Sequence, residues 1–280
     1  MNLVAFVLLL SVPMQGDTVD ALLKEAAAAA KQGQVKKALA ALGKAMEVDA
    51  KDPRPYLERG KVLVMLGKHK EAAQDFAKVL QRDAKSAEAY QQRGSAYFRL
   101  GKIKESIADF DKFIELRPDR KPWHWQRGIS YYYVKRFKEG KEQFEAYQTV
   151  DGADVENVVW RYLCQAKIDG VKKAQADMLP VGEDRRVPMK EIYQMFLGKL
   201  KPEDVMKAAK AGKPSADEKA HRLFYAHLYL GLYYESLGEA KKALEHLSAA
   251  ADDEFAVGGY MWDVARVHRD IRALEAKKKE

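Results

Sequence analysis

The chain has 280 residues, of which 47% are hydrophobic and 32% charged, and this balance excludes an intrinsically disordered chain. The formal net charge of +8 is compatible with nucleic acid, an anionic envelope surface or an acidic partner, and it selects none of them. A single cysteine, Cys164, excludes an intramolecular disulfide.

The N-terminus opens with an apolar run over residues 3–12. Such a run is too short for a transmembrane helix, which needs about 20 residues, and it fits the apolar core of a secretory signal peptide. No lysine or arginine precedes the run, and no cysteine follows it that would indicate a lipid anchor. We predict a signal peptide over residues 1–16 and an exported, periplasmic or envelope-associated protein, with a cytoplasmic location as the alternative.

The following segment repeats itself with an exact period. Gly60, Gly94 and Gly128 lie 34 residues apart, and Leu42, Phe76, Phe110 and Phe144 keep the same step. A period of this length without insertions is typical of helix–turn–helix repeat arrays, and the alanine- and leucine-rich composition favours helix throughout. We predict an all-α fold, a right-handed α-solenoid of helical hairpins, with four tandem units in residues 17–153.

The spacing of small and large residues within each unit resembles the tetratricopeptide repeat (TPR) family. Counted from the start of a unit, position 8 holds Ala26, Gly60, Gly94 and Gly128, and position 20 holds Ala38, Ala72, Ser106 and Gly140. Helices that pack closely leave room only for small side chains at these two positions. The resemblance implies a concave groove, lined by the first helix of each unit, that binds a protein or peptide.

Beyond residue 153 the pattern weakens and then returns. Residues 154–213 predict irregular helical hairpins, residues 214–256 another repeat unit, and residues 257–280 a polar helix that caps the solenoid. This order of parts resembles that of a bacterial envelope lipoprotein built from the same repeats. The resemblance implies a dimeric periplasmic adaptor that brings an envelope protease or a cell-wall hydrolase to its substrate, although the lipidated cysteine is missing.

The predicted groove carries aromatic and arginine side chains, which are over-represented at binding hot spots. We expect the partner to contact the groove residues Lys61, Gln91, Phe98, Arg99, Trp125, Tyr132 and Tyr133. Two alternatives stay open. The C-terminal helices could fill this groove and make its aromatics part of the core, or a homodimer could form through the same surface.

A second candidate surface consists of lysines in the opening turn of each second helix, and we call it the basic ridge. Its members are Lys36, Lys70, Lys104, Lys138 and Lys241. The helix dipole disfavours cations at that end, by up to about 1 kcal/mol. A repeated departure from this rule suggests contact with an anionic surface, whereas the alternative is a set of well-solvated turns.

Catalytic chemistry is not indicated by any motif. The sequence contains no HExxH motif and no phosphate-binding glycine loop, and Cys164 lies in an apolar helical run. We predict neither an enzyme nor a cofactor, metal or small-molecule substrate. The predicted function is a protein-binding adaptor of the cell envelope, and the alternative is a basic module that binds nucleic acid or another polyanion in the cytosol.

Overall fold

The computed structural model describes residues 18–255 and 259–277, so the predicted signal peptide over residues 1–16 lies outside it. The described part of the chain is all-α, as predicted, and contains no strand. Its helices are α1 (Val19–Lys31), α2 (Val35–Val48), α3 (Arg54–Met65), α4 (His69–Arg82), α5 (Ala87–Arg99), α6 (Ile103–Leu116), α7 (Trp125–Tyr133), α8 (Phe137–Gln148), α9 (Val155–Asp169), α10 (Val171–Ala176), α11 (Met189–Phe196), α12 (Pro202–Lys210), α13 (Ala216–Ser236), α14 (Ala240–Ala250) and α15 (Tyr260–Lys277).

Two compact units divide the chain between Ser86 and Ala87. The first unit contains α1 to α4 and the second contains α5 to α15. Within the first unit, α1 packs on α2 and α3 on α4; within the second, the pairs are α5 with α6, α7 with α8, and α13 with α14. Each pair is a helical hairpin of the kind that the sequence period predicts.

Close packing inside each hairpin explains why the repeat needs glycine and phenylalanine together. A Cβ atom added to Gly60 would lie 2.5 Å from the Phe76 ring, and one added to Gly94 would lie 2.8 Å from the Phe110 ring. Both phenylalanines are fully buried, so neither ring has free space to move into. The 34-residue period of glycine and phenylalanine therefore reflects the contact between the first and second helix of each hairpin.

The turn between the two helices of a hairpin sets a second repeated requirement. Gly33, Gly67 and Gly101 have φ angles of about +70° and occupy the same place in three successive repeats. The fourth repeat has Lys135 there, with a φ of 62°. Left-handed backbone is strained for a residue with a Cβ atom, so this turn is the least favourable of the four.

The irregular segment is held by an arginine that forms three ion pairs. Arg186 lies in the loop before α11 and forms ion pairs with Asp154 at 3.0 Å, Glu156 at 2.5 Å and Asp184 at 2.6 Å. Because Asp154 caps α9 and Glu156 lies in its first turn, the loop is fastened to the start of α9. Tyr225 of α13 contributes a cation–π contact, 5.7 Å from the guanidinium carbon.

Candidate partner-binding site

The groove of the third and fourth repeats is occupied by α15. Tyr260, at the start of α15, stacks on Phe98 with ring centroids 5.0 Å apart and contacts Trp125 edge-on at 5.2 Å. Phe98 has no exposed surface, and Trp125 is only partly exposed. The first helices of both repeats, α5 and α7, thus pack against the C-terminal helix at the predicted contact residues.

An ion pair fixes the start of α15 on α5. Arg99 donates to Asp263 at 2.6 Å and to Ser95 Oγ at 2.5 Å, and its guanidinium lies over the Tyr260 ring at 5.0 Å. Arg266 of α15 also donates to the backbone carbonyl of Arg99 at 2.7 Å. The hydrogen-bonding groups of Arg99 are therefore directed at α15 and at its own helix.

A buried polar cluster joins the fourth repeat to α13 and α15. Glu235 of α13 accepts hydrogen bonds from Tyr132 Oη at 2.6 Å, His268 Nε2 at 2.6 Å and Arg272 Nε at 2.6 Å. Tyr133 Oη lies 3.0 Å from the other ring nitrogen of His268. We call Tyr132, Tyr133, Glu235, His268 and Arg272 the Glu235 cluster.

The cluster holds its carboxylate ionised. Burial of Glu235 disfavours the charged form, but His268 and Arg272 outweigh that cost and hold the pKa of Glu235 well below its usual range. Burial raises the pKa of Tyr132 and of Tyr133, so both phenols stay protonated and can donate. The arrangement is a satisfied structural network with no reacting group.

These contacts favour one of the two interpretations of the predicted groove. The open groove predicted at Phe98, Arg99, Trp125, Tyr132 and Tyr133 is filled, so the other interpretation, an internal core, describes these five residues. The C-terminal helix, which the sequence predicts to be a cap, buries one face, and Val264, Ala265 and His268 on that face are completely inaccessible. The cause is packing between residues far apart in the chain, which a repeat pattern does not encode.

The two remaining predicted groove residues lie in different surroundings. Gln91 accepts from His124 Nε2 at 2.7 Å and donates to Gln126 at 2.5 Å, so it belongs to a polar network between α5 and α7. Burial lowers the pKa of His124 to about 4, so the imidazole is neutral at neutral pH. Lys61 is partly exposed and forms an ion pair with Glu58 at 2.9 Å.

An open groove exists in the first unit, between α1 and α3. A cavity of about 450 Å³ lies there. Its wall is mostly apolar, with Leu23, Ala27, Ala30, Leu57 and Val62 among the residues that line it. Lys24, Arg54 and Glu58 form the charged part of the lining, and Arg54 is already paired with Asp20 and Asp52.

The basic ridge residues are placed as the sequence predicts. Each is the second residue of its helix, in α2, α4, α6, α8 and α14, and each is exposed. Lys36 and Lys70 lie in the first unit, and Lys104, Lys138 and Lys241 lie in the second. Their contact with an anionic surface stays a prediction.

A repeated arginine escaped the sequence analysis. Arg59 pairs with Asp75 at 2.6 Å and Arg93 with Asp109 at 2.7 Å, in each case across one hairpin. In the fourth repeat Arg127 donates to Gln143 at 3.2 Å and pairs instead with Asp111 of the preceding helix pair. These arginines also recur every 34 residues, so the same period contained the signal.

Chemically reactive groups are few in the described residues. Burial raises the pKa of the Cys164 thiol, so this cysteine is a poor nucleophile. No group of three histidine, cysteine, aspartate or glutamate side chains in residues 18–255 and 259–277 is arranged to hold a metal ion. No helix in those ranges is long and apolar enough to cross a membrane.

Stacked helical hairpins that enclose a groove define a helical repeat protein. More particularly, residues 23–88 and 87–120 match models of the tetratricopeptide repeat family. No curated protein matches the chain significantly.

Solved structures show similarity over longer stretches. A tetratricopeptide repeat protein from Parabacteroides merdae matches 91% of this chain and 98% of its own, with 15% identity and a TM-score of 0.58. MamA matches 70% of this chain and 98% of its own, with 18% identity and a TM-score of 0.54. Both likenesses show the fold, a solenoid of helical hairpins.

Proposed function

We propose that this chain is a non-catalytic protein-binding scaffold and that its partner occupies the open groove of the first unit. Tetratricopeptide repeats form concave surfaces that mediate protein–protein interaction, and this groove offers such a surface. The observation that carries the proposal is the apolar cavity of about 450 Å³ between α1 and α3. In the second unit, by contrast, the corresponding aromatic positions are covered by α15.

Charge and shape indicate the kind of partner. Leu23 and Leu57 provide an apolar floor. Exposed Lys24 supplies a positive charge that enters no ion pair with the described residues that line the groove. A segment that combines apolar side chains with aspartate or glutamate therefore complements this surface.

We propose further that this scaffold belongs to the cell envelope. The apolar run over residues 3–12 and the order of the repeats support an exported adaptor whose partner is an envelope protease or a cell-wall hydrolase. The test is to express the full chain in a bacterium, fractionate the cells and measure the mass of the purified protein. A periplasmic chain shortened near residue 16 supports export, and an unshortened cytoplasmic chain refutes it.

Peptide selection tests the groove directly. Peptides selected from a random display library on the full-length chain are expected to combine apolar and acidic residues, and fluorescence anisotropy measures their affinity. Lys24→Glu should weaken binding about tenfold, because an attractive surface contact becomes repulsive. Lys44→Glu is the matched control, since Lys44 is exposed on α2 and lies outside the groove. Equal affinities for both variants and the parent chain would reject the site.

A further inference from the structure

A small cavity in the second unit carries features of a binding site that is separate from the groove of the first unit. It measures about 60 Å³ and lies among α7, α8, α9 and the start of α15. Phe144, Asn157 and Trp160 are buried and form its floor, whereas Trp125 and Met261 are partly exposed. The partly exposed pair marks where the cavity reaches the surface.

The floor contains two buried polar atoms without a hydrogen-bond partner among the described residues, the acceptor Asn157 Oδ1 and the donor Trp160 Nε1. Asn157 is 2% exposed, and its Nδ2 donates to the carbonyl of Phe144 at 3.1 Å. Its Oδ1 is buried and accepts no hydrogen bond from any described residue. Buried acceptors are almost always satisfied, so a free one at the floor of a cavity points to a ligand that donates a hydrogen bond.

The charged side chains around the cavity carry more negative than positive charge, and this favours a cation as the ligand. Asp154, Glu156 and Asp184 all pair with Arg186, and Glu156 also accepts a hydrogen bond from Tyr229 Oη at 2.7 Å, so three carboxylates share one guanidinium. Asp154 and Glu156 both line the cavity. Burial raises the pKa of each of these two carboxyl groups, and a positive charge nearby would favour their ionised forms.

Aromatic rings complete the cavity. The cavity is lined by the rings of Trp125, Phe144 and Trp160, and those of Phe144 and Trp160 are stacked 6.5 Å apart. Aromatic faces attract organic cations, and tryptophan does so most strongly. No set of three metal-ligating side chains exists among the described residues, which favours an organic cation over a metal ion.

We infer that this cavity binds a primary alkylammonium group, carried either by a lysine side chain or by a free amine. The ammonium donates to Asn157 Oδ1 and lies close to the carboxylates of Asp154 and Glu156. Its methylene groups leave the cavity between Trp125 and Met261. A cavity of 60 Å³ fits an ammonium with its first methylene groups and is too small for a quaternary trimethylammonium head.

The inference is tested by NMR on the full-length chain. n-Butylammonium and Nα-acetyl-lysine methylamide are titrated while the indole N–H signals are followed. Saturable shifts of the Trp125 and Trp160 signals are expected with both compounds, and tetramethylammonium and neutral n-butanol should give none. A response to n-butylammonium alone would identify a free amine as the ligand. A response to both compounds would show that a lysine side chain can also bind. Shifts that never saturate, or equal shifts with n-butanol, would overturn the inference.

Two variants distinguish binding from folding. Trp125→Leu should weaken n-butylammonium binding about tenfold, because an aromatic face is removed. Trp123→Leu is the matched control, since Trp123 is 47% exposed and does not line the cavity. Asn157→Leu removes the acceptor Oδ1 and should weaken binding in a chain that remains folded. Unchanged affinity in Trp125→Leu or in a folded Asn157→Leu chain would contradict the inference.

Discussion

The Glu235 cluster makes a quantitative prediction about how α15 is held in the groove. Glu235→Gln keeps the shape of the side chain but removes the charge that pairs with Arg272 and with Lys167. The Glu235 side chain is 11% exposed and that of Arg272 is 25% exposed, so this is a largely buried ion pair. Removal of one partner of such a pair costs about 3–5 kcal/mol, and partial access of Arg272 to water favours the lower end, about 3 kcal/mol.

Urea unfolding at neutral pH measures this loss. All four tryptophans of the chain lie after residue 86, so tryptophan fluorescence reports on the second unit alone. The melting temperature should also fall, by roughly 6–12 °C for a unit of this size. Glu245→Gln is the control, because Glu245 is exposed on α14. A Glu235→Gln chain that is as stable as the control would refute the role assigned to the cluster.

The pH dependence of the same variant provides a second check. The folded-state pKa of Glu235 is lowered, so its stabilising effect is complete above the unfolded pKa of glutamate, about 4.3. The effect is lost as the pH falls below that value toward the folded pKa. The stability difference between the parent chain and Glu235→Gln should therefore be constant from pH 7 to pH 5 and should shrink below about pH 4. A difference that grows at low pH would contradict this reasoning.

Four further predictions concern the repeats. Gly94→Ala should destabilise the chain by about 1–3 kcal/mol in thermal unfolding followed by circular dichroism, because the new Cβ meets Phe110 at 2.8 Å. Gly43→Ala, which meets nothing within 4 Å, should instead stabilise α2 by up to about 1 kcal/mol. Burial lowers the pKa of His124 to about 4, so its contribution to stability should fall by about 2 kcal/mol from pH 7 to pH 5, where only the unfolded chain is protonated. Urea unfolding of His124→Asn, which keeps a capping side chain, should lack this component. Lys135→Gly should raise the melting temperature, since it relieves a φ of 62°; a lower value would contradict the strain argument.

The repeat architecture was predictable because its contacts are local. Gly94 and Phe110 are separated by one turn between two helices, so their size relationship repeats with the hairpin and is visible as a period. The arginine and aspartate pairs, such as Arg93 with Asp109, also join the two helices of one hairpin. They could therefore have been predicted from the same 34-residue period. Matches to tetratricopeptide repeat models over residues 23–88 and 87–120 confirm that interpretation.

Larger side chains in the third and fourth repeats pack on other large residues. Phe113 and Tyr147 occupy equivalent positions in the third and fourth repeats, where the first repeat has Ala45. The structure shows Phe113 against His124, with ring centroids 5.2 Å apart, and Tyr147 against Trp123 at 6.2 Å. Phe113 therefore packs on a residue at the start of the next repeat, whereas Tyr147 packs on a residue at the start of its own repeat.

By itself, the sequence determined the helical hairpins, their register and the positions that had to stay small. It also assigned the aromatic and arginine residues to the groove face. Only the tertiary structure decided whether that groove is open. Phe98 meets Tyr260, Arg99 meets Asp263 and Tyr133 meets His268, across separations of more than 130 residues that no local period records. The physical reason is that a helix buries its apolar face against a complementary apolar surface, whatever the separation in sequence. For α15 that surface lies on α5 and α7.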